Sequence, residues 1–244
     1  EISACLVGSE MCIRDSPGAV GQTTTGAAVE EKQVTLAVGL DLMSKLQTDG
    51  YSVLMSRTTD EPVAQLGPGD TDSNGFTDSG NHKDALARVQ CANAGHARVL
   101  VSIHLNSFSD ASARGAETIY DSARTFSADN QRFAAVVQQS LIQGFTNAGW
   151  SVPDRGIKDD ASLGAVGLTA RANQYGHLLE LGPSQAGWLD EPSRMPGVLV
   201  EPLFVSNPTE AEVSASRQGQ LAMAAGLEQA IKTYLASGTS SRSG

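Results

Sequence analysis

The chain has 244 residues, 40% of them hydrophobic, which is enough to bury the core of one domain and too many for a disordered or fibrous protein. Its formal net charge of −10 at pH 7 argues against nucleic-acid partners, whose phosphates demand a basic face. No window approaches the roughly 18 consecutive apolar residues of a membrane span, so membrane insertion is not expected, and nothing in the composition sets an oligomeric state.

Residues 1–16, EISACLVGSEMCIRDS, carry two of the three cysteines and show neither strand alternation nor helical periodicity. They read as a non-native leader, and no signal peptide is discernible. Cys91 is then alone in the body of the chain, on an amphipathic helix, where a buried structural thiol is expected and no disulfide framework follows. Residues 30–49 predict a helix, with Val34, Val38, Leu42 and Leu46 four apart and Gly50 as its stop. Glu30 and Glu31 sit in its first turn, where the helix dipole alone would explain an acid. A strand follows at 51–57, then an inserted polar, Gly-rich loop at 60–81 and a helix at 82–94.

The run VLVSIHLN at 99–106 predicts a buried strand that delivers His104 to its carboxyl end, where open α/β sheets place their chemistry. GAETIY at 115–120 reads as another strand, and 128–148 as a long helix with Phe133, Val137, Leu141 and Phe145 on one side. Residues 153–195 are loop-rich, with one short strand at 177–181. PGVLVEP at 196–202 is a second apolar run and ends on Glu201. Asn207, Pro208 and Glu210 fit the cap, first and third positions of a helix. The closing helix carries Leu221, Ala224, Leu227, Ile231 and Tyr234, and 237–244 reads as a flexible tail. The alternation of helices and strands predicts a single α/β domain over 17–236, three-layered, with a mostly parallel central sheet and helices on both faces.

A strand-terminal polar residue reaching solvent is the simpler reading of His104 or Glu201 taken singly. Together, an imidazole and a carboxylate at the ends of two hydrophobic strands suggest a hydrolytic metal site. In the loop, Asp70, Asp72, Asn74 and Asp78 stand at the first, third, fifth and ninth positions with Gly75 at the sixth, a spacing that resembles a Ca2+ loop. Its twelfth position is Asn81 in place of a bidentate Glu, so a polar surface loop without metal is the competing reading.

Several motifs occur in a fixed order: Glu31-Lys32 opening a helix, Arg57 to Asp60 after a strand, Ser102-Ile103-His104 with Asn106, Gly115-Ala116-Glu117-Thr118, and Val200-Glu201-Pro202 followed by Phe204, Ser206 and Asn207. This series resembles the zinc-dependent N-acetylmuramoyl-L-alanine amidases of the third amidase family, which cut the amide between glycan and stem peptide in the bacterial cell wall. The resemblance implies one catalytic Zn2+, with Glu31 as carboxylate ligand, His104 as imidazole ligand and Glu201 as acid/base. Glu30 is the competing acid, but the family pattern places the ligand directly before Lys32. Asn106 and an Arg155-Gly156-x-Lys158 loop imply substrate contact, although a solvated turn explains Arg155 and Lys158 as readily. His82 and His96 are expected in solvent, and His177 near the substrate cleft.

The resemblance also implies peptidoglycan or muropeptide as substrate and a secreted, periplasmic or cell-wall location. An amidase-like module that binds muropeptide without cutting it is the alternative. One part of the pattern is missing, because the family's first strand ends in Asp-Pro-Gly-His-Gly-Gly and this chain has no histidine before His82. The first strand is therefore expected to be missing or replaced by the leader, and Cys12 is a poor substitute ligand. Two zinc ligands out of three imply weak metal binding and little activity.

Overall fold

The computed structural model describes residues 3–8, 18–73, 75–164 and 170–239. Its strands are β1 (Ser3–Gly8), β2 (Val20–Gln22), β3 (Ala28–Glu30), β4 (Ser52–Met55), β5 (Thr71–Asp72), β6 (Gly75–Phe76), β7 (Val99–Ile103), β8 (Ala116–Tyr120), β9 (Asp154–Asp159) and β10 (Gly197–Glu201). Its helices are α1 (Glu31–Thr48), α2 (Asp78–Ala94), α3 (Ser127–Asn147), α4 (Ala170–Tyr175), α5 (Pro208–Ala215) and α6 (Arg217–Thr239). Six strands form one sheet in the order β4-β1-β7-β10-β8-β9. The first four are mutually parallel, while β8 runs antiparallel to β10 and parallel to β9. The sheet is therefore mixed, with one pair of strands reversed.

Alternate residues of the central strands feed the two faces, as the pleat requires. Val99, Val101, Ile103, Val198 and Val200 join the larger core, with Val38 and Leu42 of α1, Phe133 and Leu141 of α3, and Leu227 and Ile231 of α6. Leu100, Ile119 and Leu199 face the other way, against Ala92 of α2 and Leu181 and Met195. These two cores make the expected three layers.

The first strand, expected to be missing or replaced by the leader, is formed by leader residues: Ser3–Gly8 pairs in parallel register with β4 on one side and β7 on the other. Alternation is a poor guide to such a strand, because strands between parallel neighbours read as apolar runs, here Ala4-Cys5-Leu6-Val7. Other boundaries also shift. Helix α2 begins at Asp78, four residues before the expected 82, because the Thr77 side chain accepts a hydrogen bond from the Gly80 N–H and caps it. The strand expected at 177–181 does not form, and β9 appears instead at the sheet edge. α6 continues through Thr239, so the expected tail from 237 is helical at its start, and Leu221 on that helix is exposed. Cys91 is half-buried, not enclosed.

The polar loop at 60–81 is tied down from α2. Asp84 accepts hydrogen bonds from the N–H groups of Val63 (2.6 Å) and Ala64 (2.9 Å) and pairs with Arg88 at 2.6 Å, both side chains being buried.

Candidate active site

The start of α1 is held by a reciprocal contact. The Glu31 N–H donates to the Ala19 carbonyl at 3.0 Å, and the Ala19 N–H donates to Glu31 Oε2 at 2.6 Å. Gly18 makes the approach possible: its φ is +65°, and a Cβ there would lie 2.5 Å from Glu31 Oε2. Behind Glu31, Lys32 pairs with Asp60 at 2.8 Å, and Arg57 donates to the Lys32 carbonyl at 2.7 Å. The Arg57 to Asp60 motif thus fixes the helix end that carries Glu31.

The same carboxylate reaches the end of β7. Glu31 Oε1 accepts from the Leu105 N–H at 3.0 Å and lies 3.2 Å from His104 Nδ1, while His104 Nε2 is 3.0 Å from Ser102 Oγ. The His104 N–H donates to the Val200 carbonyl at 2.9 Å, so the end of β7 is locked to β10. One strand further, Glu201 pairs in register with Glu117 of β8. Glu201 Oε2 is closed off from solvent and accepts no hydrogen bond. Burial pushes the Glu201 carboxyl well above its usual range, and the neighbouring charges of Glu31 and Glu117 push it further.

Glu117, buried, accepts from Asn106 Nδ2 at 2.7 Å and from Arg155 Nε at 2.8 Å. A bulge in β9 aims Arg155 this way, since the register passes from Ala116↔Asp154 to Thr118↔Ile157 and two β9 residues face Glu117. Gly156, at φ +77°, accommodates the kink. The edge therefore sets Glu31 against the His104 imidazole, with Glu201 and Glu117 paired on the next two strands. Glu31 and His104 offer two donors of the kind zinc takes, and the unsatisfied buried oxygen of Glu201 suits a proton.

The sequence profile of the N-acetylmuramoyl-L-alanine amidase family matches residues 14–233. This chain belongs to that family. It is 26% identical over 209 residues to the germination-specific N-acetylmuramoyl-L-alanine amidase of Bacillus subtilis, covering 86% of this chain and 72% of that protein. It is 28% identical to the N-acetylmuramoyl-L-alanine amidase AmiC of Neisseria meningitidis, covering 90% of this chain but only half of that longer protein. Among solved structures, the CwlD amidase of Clostridioides difficile, in complex with the GerS lipoprotein, superposes with a TM-score of 0.67 at 19% identity over 97% of this chain and 100% of that one. An N-acetylmuramoyl-L-alanine amidase of Clostridium difficile 630 superposes at 0.64 with 23% identity, over 97% and 98% of the two chains. At such identities these structures speak for the fold alone. The amidase class is thus supported by family and relatives together.

Within this amidase fold, Glu31, His104, Glu201, Asn106 and Arg155 meet at one sheet edge. Lys158 does not join them: it pairs with Ile119, further along β9 and away from the Glu117–Glu201 register. Glu117, part of a recognised motif, was given no role by sequence alone, yet it bridges Asn106 and Arg155.

Other expectations need correction. The Asp70 carboxylate is not offered to calcium: it is buried and accepts from the Gly67 N–H (2.7 Å), Ser79 Oγ (2.8 Å) and Lys83 Nζ (2.7 Å). Lys83, followed by those two hydrogen bonds, lowers it to about 2. Asp72 lies in the hairpin of β5 and β6, Asp78 opens α2, and Asn74 is outside the described residues. His96 is exposed as expected, but His82 stacks on Trp188 at 3.9 Å and meets the Trp188 carbonyl at 2.8 Å. Burial lowers the His82 pKa.

His177 is not beside Glu201. Its Nδ1 lies 2.8 Å from Asp121 Oδ2 and 3.2 Å from Asp160 Oδ1, at the far end of β8 and β9. Burial raises Asp160 to about 6. Among the described residues, these three make up the one group of three or more His, Cys, Asp or Glu donors that lie close enough to share an ion.

Proposed function

We propose that this chain hydrolyses the amide between N-acetylmuramic acid and L-alanine in peptidoglycan, with zinc held by Glu31 and His104 and with Glu201 as proton carrier. Glu201 carries the reading: a buried carboxylate with an unsatisfied oxygen, on the strand next to the Glu31–His104 pair, in a member of the amidase family. When bound, zinc supplies Lewis-acid polarisation of the amide carbonyl and lowers the pKa of water. The Glu31 side chain is pre-set for that task, because the Ala19 and Leu105 N–H groups hold both its oxygens in place. His104 is fixed by Ser102 with Nδ1 turned to the same point.

Glu201 holds a proton readily, since burial and two neighbouring carboxylates disfavour its charged form. It passes that proton to the leaving amine of L-alanine and takes one from attacking water. Arg155, held on Glu117 and lying over the Phe204 ring, presents a cation to an acidic stem peptide, and Asn106 offers its amide to the glycan or peptide backbone. The third zinc ligand is absent from the described residues, and 9–17, where the family pattern would put it, lies outside them. Zinc is accordingly expected to bind weakly to this chain. A module that binds muropeptide without cutting it is favoured by that same gap.

The substrate places the protein at the cell wall, and no described helix is long and apolar enough to cross a membrane. Incubation with purified peptidoglycan and zinc, followed by labelling of newly freed L-alanine amino termini, tests the reading. Release of L-alanine termini supports the hydrolase. Binding to the sacculus without release, even with zinc in excess, supports the module.

A further inference from the structure

β8 and β9 run against the rest of the sheet, so their carboxyl ends lie on the edge opposite Glu201. Glu117, level with Glu201, and Asp121, just past β8, are four residues apart, about 13 Å along an extended strand. Asp160 follows β9 directly, beside Asp121, and His177 comes over from the turn after α4. Each carboxylate is oriented by a backbone N–H on its outer oxygen. Asp121 Oδ1 accepts from Ala123 at 2.7 Å, and Asp160 Oδ2 accepts from Leu178 at 2.9 Å. Of the inner oxygens, Asp160 Oδ1 is hydrogen-bonded to His177 Nδ1 at 3.2 Å, and Asp121 Oδ2 faces the same nitrogen.

Both aspartates are fully buried, and Asp121 Oδ2 makes no hydrogen bond of acceptable geometry although the imidazole nitrogen is 2.8 Å away. Two buried carboxylates against one imidazole leave negative charge unbalanced. Arg124 contributes field from nearby, but its guanidinium is spent on the carbonyls of Leu181, Gly182 and Ser193 and on Ser193 Oγ. Tyr175 adds no cation, and its hydroxyl donates to the Pro183 carbonyl at 2.6 Å.

We propose that Asp121 Oδ2, Asp160 Oδ1 and His177 Nδ1 form a second divalent-cation site of the Zn2+ type, distinct from the Glu31–His104 edge. The three atoms lie within 4.8 Å of one another. Tetrahedral zinc with bonds of about 2.0–2.1 Å sets its ligands roughly 3.3 Å apart, close to the 2.8 and 3.2 Å that separate His177 Nδ1 from the two carboxylate oxygens. One imidazole with two carboxylates suits zinc better than calcium, which prefers six or more oxygens. A cation here joins the ends of β8 and β9 to the turn at His177, closing the loop that begins at Asp160.

The test starts from the full chain carrying Glu31→Gln and His104→Gln, which removes the first edge as a metal site and leaves the second intact. Titration with Co2+ as a spectroscopic probe, then with Zn2+ alone, is expected to give one bound ion per chain, tetrahedral Co2+ absorption and a raised Tm. Adding Asp121→Asn or His177→Gln should weaken binding at least tenfold. Because either substitution strips a buried pair and loosens the fold, the imidazole 15N resonances of His177 in the doubly substituted chain give a second measurement, with Nδ1 expected to move on Zn2+ addition. A folded double variant that binds no Zn2+ at millimolar concentration overturns the proposal. So does binding that leaves His177 Nδ1 unmoved. Neither result bears on the first edge, whose ligands are absent throughout.

Discussion

The two edges of the sheet collect similar side chains in different company. At the β7–β10 edge Glu31, from a helix start, faces the His104 imidazole, and two further carboxylates, Glu117 and Glu201, pair on the neighbouring strands. At the β8–β9 edge two carboxylates meet one imidazole, with Asp121 just past β8, Asp160 opening a 3-10 turn after β9, and His177 just past α4. Reversing a pair of strands gives a sheet carboxyl ends on both sides, so polar donors alone do not locate chemistry. The first edge keeps an excess of negative charge, with Arg155 held on Glu117 and the Glu201 carboxyl pushed up by burial. The second is enclosed, with both its aspartates fully buried, which suits holding a loop.

The sharpest break in this comparison comes from Glu201→Gln. Turnover on peptidoglycan should fall by about two to four orders of magnitude while metal content is unchanged. Measuring zinc and L-alanine release on one sample checks it, and loss of zinc along with activity would make Glu201 a ligand instead of a proton carrier. Asp84→Ala probes neither edge. It strips Arg88 of its buried partner and frees the Val63 and Ala64 N–H groups, so urea unfolding should report a loss of about 3–5 kcal/mol with turnover per folded molecule retained.

Gly18→Ala sharpens the contrast. A Cβ 2.5 Å from Glu31 Oε2 must displace that carboxylate, and zinc affinity at the first edge should fall roughly 10- to 100-fold while binding at Asp121 and His177 stays as it was. Equal loss at both edges would mean general damage. The smallest effect is expected from Asp70→Asn. Its folded pKa of about 2 lies below the ordinary 3.8, so its contribution to stability is present above that ordinary value and is lost as the pH falls towards 2. The stability gap between parent and variant should therefore close on acidification from about pH 5 to pH 2, as thermal unfolding would register; a gap that persists would remove the Lys83–Asp70 account.

Much of the larger core was legible because helices advertise a period. Val34, Val38, Leu42 and Leu46 in α1, and Phe133, Val137, Leu141 and Phe145 in α3, are buried as their spacing predicts. The apolar runs ending in His104 and Glu201 likewise became β7 and β10. β9 was not legible, because DRGIKD is a charged edge strand with only one covered side and no apolar alternation. β1 was missed for a related reason, since its short apolar run lies among residues with no repeating pattern. Of the first edge, Glu31, His104, Glu201, Asn106 and Arg155 were within reach of sequence because ordered motifs carry them. Lys158 was misplaced because the bulge at Arg155 and Gly156 decides which β9 residues turn toward Glu117. The Asp121, Asp160 and His177 cluster had no sequence signature, as its members come from three separate turns with no shared spacing.

β8 acts as a ruler between the two edges. With Glu117 set against Glu201 and Asp121 just beyond Tyr120, one short strand fixes where both acids fall. An insertion or deletion between them would turn one of the two to the wrong face and slide it out of reach of its partners. Neither edge can be lengthened or re-registered through this strand without disturbing the other.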